Sequence, residues 1–437
     1  MSSTSQRVVI TGMGLVSPIG SDLETLWDSL STQKSGIREI QNLDCAALPF
    51  RSGGEVQDFT GKIDCYGELE KPLQRAIKKN MKVMCREIEM GVAASQKAIQ
   101  HSGLGNDRNP ERCGCLFGCD YILTRPEEYI DGLKSCREQN SPVDIADWPN
   151  HGLNKVNPLW LLKYLPNMPN SHVSIYNDFR GPNNAITDRD ASMNLAISEA
   201  TSIIQRGAAD VMLVGATGSR LHPLRTAHAF LLEEIAAERD DPTTMARPFD
   251  QDSDGMVLGE GAGSLVLESL EHAQARGAKI WAEVLGTGAA MSAPYSTSSA
   301  AEALGQSAAT SMKKALSQLP ADGRSWHLHA QGLGTQRSDR AEAWAINQVL
   351  ADHPNVPVTA AKSYFGNLGA GSAAVELICS VTAMQNQQLF PVCNLSKPLD
   401  EIEWSPATPE SSPGTAALHV SFTMEGQACS VLVGEAA

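Results

Sequence analysis

The sequence predicts an α/β protein assembled from two related halves. Three observations carry this. The stretch Gly181–Ala216 runs from a strand-like approach (Ala185, Ile186, Thr187) through Asp188-Arg189-Asp190 into a helical pattern. That pattern (Ala191, Leu195, Ala196, Ala200, Ile203, Ile204) is closed by Gly207 and followed by the apolar run Val211-Met212-Leu213-Val214, which together make a βαβ unit. Strand-like and helical runs alternate along the whole chain, and from Glu271 the pattern restarts, as expected of a duplicated unit. The expected division is an N-terminal half, 1–270, and a C-terminal half, 271–437.

The elements follow in order. Arg7–Thr11 is a first strand, ended by Gly12-Met-Gly14, and Asp22–Leu30 a helix. Asn80–Gln100 is a long amphipathic helix, stopped at Ser102-Gly103, and Arg112–Gly118 a buried strand. Tyr121–Tyr176 is irregular and rich in proline. An insertion of that kind over 120–176 reads as a cap or an interface. Ser264–Glu268 and Lys279–Leu285 are strands, Ala301–Leu319 a helix, Trp326–Ala330 a strand, Arg337–Leu350 a helix and Val356–Val358 a short strand. Gly371–Gln385 is an apolar, buried helix, and Ala417–Phe422 with Cys429–Val433 form a closing strand pair.

Composition excludes several function classes. The net charge of −15 argues against non-specific nucleic-acid binding and against an anionic membrane surface. No run of about 18 apolar residues is present, so no membrane span is expected. The start, MSSTSQRVVITGMG, has no apolar signal core, and the expected location is the cytoplasm. The ten cysteines then read as small buried hydrophobes, including the cluster Cys113, Cys115 and Cys119, which lacks metal-ligand spacing. Asp250-Gln-Asp252-Ser-Asp254-Gly255 resembles a calcium loop, but the twelfth position is Gly261 and a strand follows where a helix is required. The same strand rules out a dinucleotide loop at Gly259–Gly263, whose glycines read as crowding positions in a packed turn. No metal and no cofactor are expected.

At the centre of the βαβ unit, Asp190 sits where many α/β enzymes hold a nucleophile. Taken alone, an aspartate there reads as a helix cap. The rest of the chain changes that reading. RVVITGMGLVSPIG at the start, GAADVMLVGA, ARPFDQDSDGMVLGEGAGSLVLE, RGAKIWAEVLG and AKSYFGNLGAGSAAVE resemble, in order and spacing, the β-ketoacyl-acyl-carrier-protein synthases, close to the elongating type II condensing enzymes. The resemblance covers nearly the whole length. It implies a thiolase-like duplicated αβαβα five-layered fold and an obligate dimer. It also implies a cysteine nucleophile at a helix N-terminus, two histidines that assist decarboxylation, and a supporting lysine.

The sequence departs from that pattern at its centre. The cysteine position is Asp190. The first histidine motif reads Gln331-Gly332-Leu333-Gly334-Thr335, and the second reads Lys362-Ser-Tyr-Phe-Gly366-Asn367, so Gln331 and Asn367 replace the histidines while Lys362 remains. In the gate loop Met424 follows Phe422 and Thr423 in the place of the gating phenylalanine, and Glu425 replaces a flexible glycine. A carboxylate is a poor acyl acceptor, and amides do not shuttle protons near neutral pH. His327 and His329 share a strand face with Gln331, but each is displaced from it by about 7 Å or more, at roughly 3.3 Å per residue, and both read as strand histidines with local hydrogen bonds.

The expected function is a ketosynthase-like protein of fatty acid or polyketide biosynthesis with no catalytic residues. It would resemble a chain-length-factor subunit that partners an active synthase chain, with Met193 and Leu195 near the partner's tunnel. The alternatives are a homodimeric acyl-binding protein, or an acyl-thioester enzyme in which Asp188 or Asp190 serves as a base. Acyl carrier protein is an indirect partner, because a chain at −15 has no long-range attraction for an acidic one. Arg220, Arg225 and Arg247 are candidates for a local basic patch.

Overall fold

The computed structural model describes residues 6–46, 48–293, 300–423 and 425–436. Eleven strands form one mixed sheet: β1 (Val8–Val16), β2 (Cys113–Cys119), β3 (Asn183–Thr187), β4 (Val211–Ser219), β5 (Glu260–Ser269), β6 (Ala282–Met291), β7 (Trp326–His329), β8 (Pro357–Thr359), β9 (Ser405–Pro406), β10 (Ala416–Phe422) and β11 (Gln427–Gly434). Their spatial order is β9-β8-β7-β10-β11-β6-β1-β5-β4-β2-β3.

The order is a repeat folded about its middle. Outward from β1, strand β5 pairs antiparallel, β4 antiparallel, then β2 and β3 parallel. Outward from β6, strand β11 pairs antiparallel, β10 antiparallel, then β7 and β8 parallel. The halves meet where Val9 and Ile10 of β1 lie opposite Glu283 and Ala282 of β6.

The helices form the remaining layers. Ser192–Gln205 and Ser372–Gln385 lie at the centre and share one apolar cluster with both halves (Leu116, Met193, Ile197, Leu377, Val431). Outside, Arg86–Ser102 covers the first half around Phe117 and Val266, and Ala300–Leu316 covers the second around Leu328 and Val420. The central helix Ser372–Gln385 is buried on every side over its first thirteen residues, as its all-round apolar pattern requires.

Several boundaries differ from expectation. β1 runs through Gly12 and Gly14 instead of stopping there. Helix Arg86–Ser102 presses so closely that a Cβ on Gly14 would stand 2.3 Å from the Ala94 carbonyl oxygen. These glycines therefore mark a helix–strand contact, not a turn. Gly261 and Gly263 lie inside β5, not in a turn, and a Cβ on Gly263 would meet Ala374 of the central helix at 2.8 Å. The helix expected from Asn80 begins at Arg86, after a separate helix Lys71–Asn80 and a 3₁₀ turn. The region Tyr121–Tyr176 is largely helical and holds two α-helices, Ile130–Gln139 and Met168–Asn177. Prolines at first-turn positions, as in Met168-Pro169, start helices instead of excluding them. No helix is long and apolar enough to cross a membrane among the described residues.

Candidate functional site

β3 delivers the chain to the centre of the molecule. After Thr187, Arg189 adopts the left-handed conformation (φ 46°), which non-glycine residues seldom do, and a 3₁₀ turn over Arg189–Ala191 precedes the central helix. The turn buries Asp190, which is 6% exposed. Asp190 does not cap the helix. The N-cap position is held by Ala191, which makes no side-chain cap bond, and Ser192 Oγ accepts from the Asp188 N–H at 2.8 Å and donates to the Cys119 carbonyl at 3.0 Å. Asp190 Oδ2 lies 3.5 Å from Arg220 Nη2, and its Oδ1 has no hydrogen-bond partner. Arg220 is bound more closely to Glu233, at 2.8 Å.

Gln331 follows β7 and is held from three sides. Its N–H donates to Glu342 at 2.6 Å, its carbonyl accepts from Lys362 Nζ at 3.1 Å, and its Oε1 accepts from the Phe422 N–H at 2.7 Å. The side chain is thereby bound to the start of the gate loop. Asn367 serves the backbone: its Oδ1 accepts from the Gly369 N–H at 2.9 Å and from Ser372 Oγ at 3.3 Å, tying the turn that opens the central helix. Its Nδ2 donates to the Met256 sulfur at 3.3 Å.

Lys362 is buried and belongs to a continuous network. Its Nζ donates to Glu376 Oε1 at 2.5 Å, Glu376 Oε2 lies 2.9 Å from His419 Nε2, and His419 Nδ1 meets the Asn194 amide. Burial pushes the Glu376 carboxyl up, but the Lys362 charge and the His419 hydrogen bond outweigh it and hold the group below the usual range. Neutral His329 stands beside this network, its protonated form disfavoured first by burial and then by His419.

Asp190 and Gln331 open onto one cavity of about 280 Å³. Arg220, Met256, Leu333 and Phe422 line it, and Arg189 and Glu425, paired at 2.9 Å, stand at its edge. Lys362 and Asn367 are not in its wall. Asp188, beside this site, is pushed up to about 6 by burial, then by the Glu425 and Asp190 charges. Gln427, with its amide nitrogen turned to Asp188, donates to that carboxylate. Phe422 is buried and Glu425 exposed, while Met424 lies outside the described residues.

The β-ketoacyl synthase N-terminal domain matches residues 5–273, and the β-ketoacyl synthase C-terminal domain matches residues 281–396. This chain belongs to the β-ketoacyl synthase family. It is 33% identical over 399 residues to 3-oxoacyl-[acyl-carrier-protein] synthase 2 of Vibrio cholerae, a match covering 90% of each chain. It is 32% identical over 400 residues to the synthase of the same name from Synechocystis, covering 91% of this chain and 90% of the relative. Among solved structures, the ishigamide ketosynthase/chain length factor superposes with a TM-score of 0.79 at 24% identity, covering 99% of this chain and 100% of that one, a likeness of fold.

Other expectations meet the structure as follows. The thiolase-like ketosynthase fold is present. His327 and His329 are buried strand residues that share Ser380 Oγ at 3.0 and 2.8 Å. Asp250 accepts backbone N–H groups of Asp252, Ser396 and Lys397, so the aspartate run stitches loops together. No group of three or more metal-ligating side chains occurs among the described residues. The basic patch does not form: Arg220 and Arg225 have side chains 5% exposed and are spent on Asp190, Glu233 and Asp120, while Arg247 binds the Thr244 carbonyl. Met193 is buried in the core of this chain and Leu195 is half-buried.

Sequence reasoning missed Glu376, His419, Glu233 and the pairing of Arg220 with Asp190. One signal was available: Glu376 is the only charged residue in the apolar run Ser372–Gln385, and a lone charge on a helix buried all round needs a buried partner.

Proposed function

We propose that this chain is a non-catalytic ketosynthase-like subunit that pairs with an active 3-oxoacyl carrier-protein synthase, in the manner of a chain-length factor. One observation carries the reading: at the three positions where the family holds cysteine and two histidines, the chain places Asp190 against Arg220, Gln331 bound to the gate loop, and Asn367 engaged with backbone. The Asp190 carboxylate is a poor acyl acceptor from a thioester, and the Gln331 and Asn367 amides do not shuttle protons at neutral pH. A carboxylate at Asp190 also opposes a developing enolate.

In this reading the halves 1–270 and 271–437 keep the scaffold that a dimer requires, and the active partner supplies chemistry and most of the carrier-protein docking surface. The location is the cytoplasm, where such synthases meet their soluble carrier protein. A homodimeric acyl-binding protein is the second reading, favoured by the walled cavity at Asp190. An enzyme using Asp190 as base ranks third, since Arg220 stands beside the carboxylate and no histidine lines the cavity near it except His228.

The deciding experiment measures malonyl-carrier-protein decarboxylation and condensation by this chain alone, then mixed with an active 3-oxoacyl carrier-protein synthase from the same organism. Turnover in the mixture that exceeds that of the synthase alone is expected, with none from this chain by itself. Turnover by this chain alone that disappears in Asp190→Asn would overturn the proposal.

A further inference from the structure

The Asp190 carboxylate is more than nine-tenths buried, lies in the wall of a cavity, and makes no hydrogen bond within the protein. An ionised carboxylate in that situation is costly unless a donor or a positive charge meets it. The cations nearby are already committed. Arg220 sits 2.8 Å from Glu233 but 3.5 Å from Asp190, Arg225 is bound to Asp120, and Arg189 to Glu425. Four carboxylates (Asp190, Glu233, Glu234 and Glu425) line the cavity with three guanidinium groups (Arg189, Arg220 and Arg337), and Asp190, the most buried of the four, is left without a hydrogen bond. Further out, Glu234 accepts the Gln336 N–H and Arg337 is exposed.

The cavity suits a short chain with a charged end. Its volume of about 280 Å³ corresponds to about nine waters at ~30 Å³ each. Met256, Leu333, Phe422 and Leu232 supply apolar wall, and Gln331 lines the same space. An anionic ligand would meet the surplus of carboxylates, and a purely apolar one would leave Asp190 Oδ1 without a hydrogen bond.

We propose that this cavity binds a primary ammonium group at the end of a short alkyl chain, paired with Asp190. The group can arrive as a free alkylamine or as the terminus of an aminoacyl thioester. The ammonium supplies three donors and one positive charge, and the alkyl stem lies against the apolar wall. The inference goes beyond the subunit role and does not depend on a partner synthase.

The test is calorimetric titration of the purified chain with 4-aminobutyryl-pantetheine, its isostere pentanoyl-pantetheine, and n-butylammonium chloride. The aminoacyl thioester should bind at least about tenfold more tightly than the pentanoyl one, a difference of about 1.4 kcal/mol. Asp190→Asn should abolish that preference. Glu233→Gln, at a partly exposed position, should reduce it by freeing Arg220 for Asp190 while leaving the fold intact. Equal binding of n-butylammonium would assign the site to free amines, and binding of the thioester alone would assign it to acyl carriers. Equal affinity for the aminoacyl and pentanoyl thioesters, or a preference that survives both substitutions, would overturn the proposal. Because the chain is titrated without a synthase, the outcome is separate from that of the mixing experiment.

Discussion

Two buried charge clusters, one touching Gln331 and the other containing Asp190, are built differently. Lys362, Glu376, His419 and Asn194 form a closed chain of contacts between 2.5 and 3.0 Å in which each charged atom meets a partner. Asp190, Arg220 and Glu233 form an open one: a single guanidinium serves two carboxylates, and one carboxylate oxygen has no partner. The first cluster behaves as scaffold. It fixes β10, the central helix and the loop after β8 relative to one another. The second keeps unspent binding capacity at a cavity wall. Complete hydrogen bonding marks a group that holds a fold, whereas an unpartnered buried charge marks a place that other chemistry can enter.

The comparison can be broken most forcefully at Glu376. Glu376→Ala leaves Lys362 buried without its carboxylate, and a loss of about 3–5 kcal/mol in chemical-denaturation stability is expected. A loss below about 1 kcal/mol would show that the closed cluster is not structural scaffold. The next effect is on pH dependence. Burial, opposed by Arg225, pushes Glu87 up to about 8 from 4.5, and its Oε2 has no partner. The folded state therefore holds a proton that the unfolded state releases. This contribution is fully present below pH 4.5 and is lost as pH rises through about 8. Thermal melts across that window should show a decline of up to about 1.4 kcal/mol per pH unit, flattened in Glu87→Gln.

Smaller effects sharpen the open cluster. Asp190→Asn should lower stability by no more than about 1 kcal/mol, because Arg220 keeps Glu233 and the substitution removes a buried charge that makes no hydrogen bond. A cost as large as that of Glu376→Ala would erase the distinction between the clusters. Asp190→Cys should give no measurable condensation, since Gln331 and Asn367 remain in place of proton-transferring groups. Acylation of the new thiol without carbon–carbon bond formation, read by mass spectrometry and product analysis, agrees with this; product formation by the single variant does not.

The residue types at 190, 331 and 367 were legible from motif order. What those residues do instead was not legible. Asp190 does not cap the helix, because the 3₁₀ turn moves the helix start on to Ser192 and leaves Ala191 at the N-cap position. Arg220 and Arg225, expected in a surface patch, lie inside, because Glu233 and Asp120, the latter 105 positions from Arg225, meet them in the fold.

By itself, the sequence determined the α/β class, the buried central helix, the family and the residue types at positions 190, 331 and 367. All of these rest on local periodicity, motif order or residue chemistry. Tertiary structure alone decided the pairing of the two half-sheets, the passage of β1 through its glycines, and the division into a closed and an open charge cluster. Each of these depends on contacts between residues tens to hundreds of positions apart, and no local pattern records which distant partner a buried charge will find.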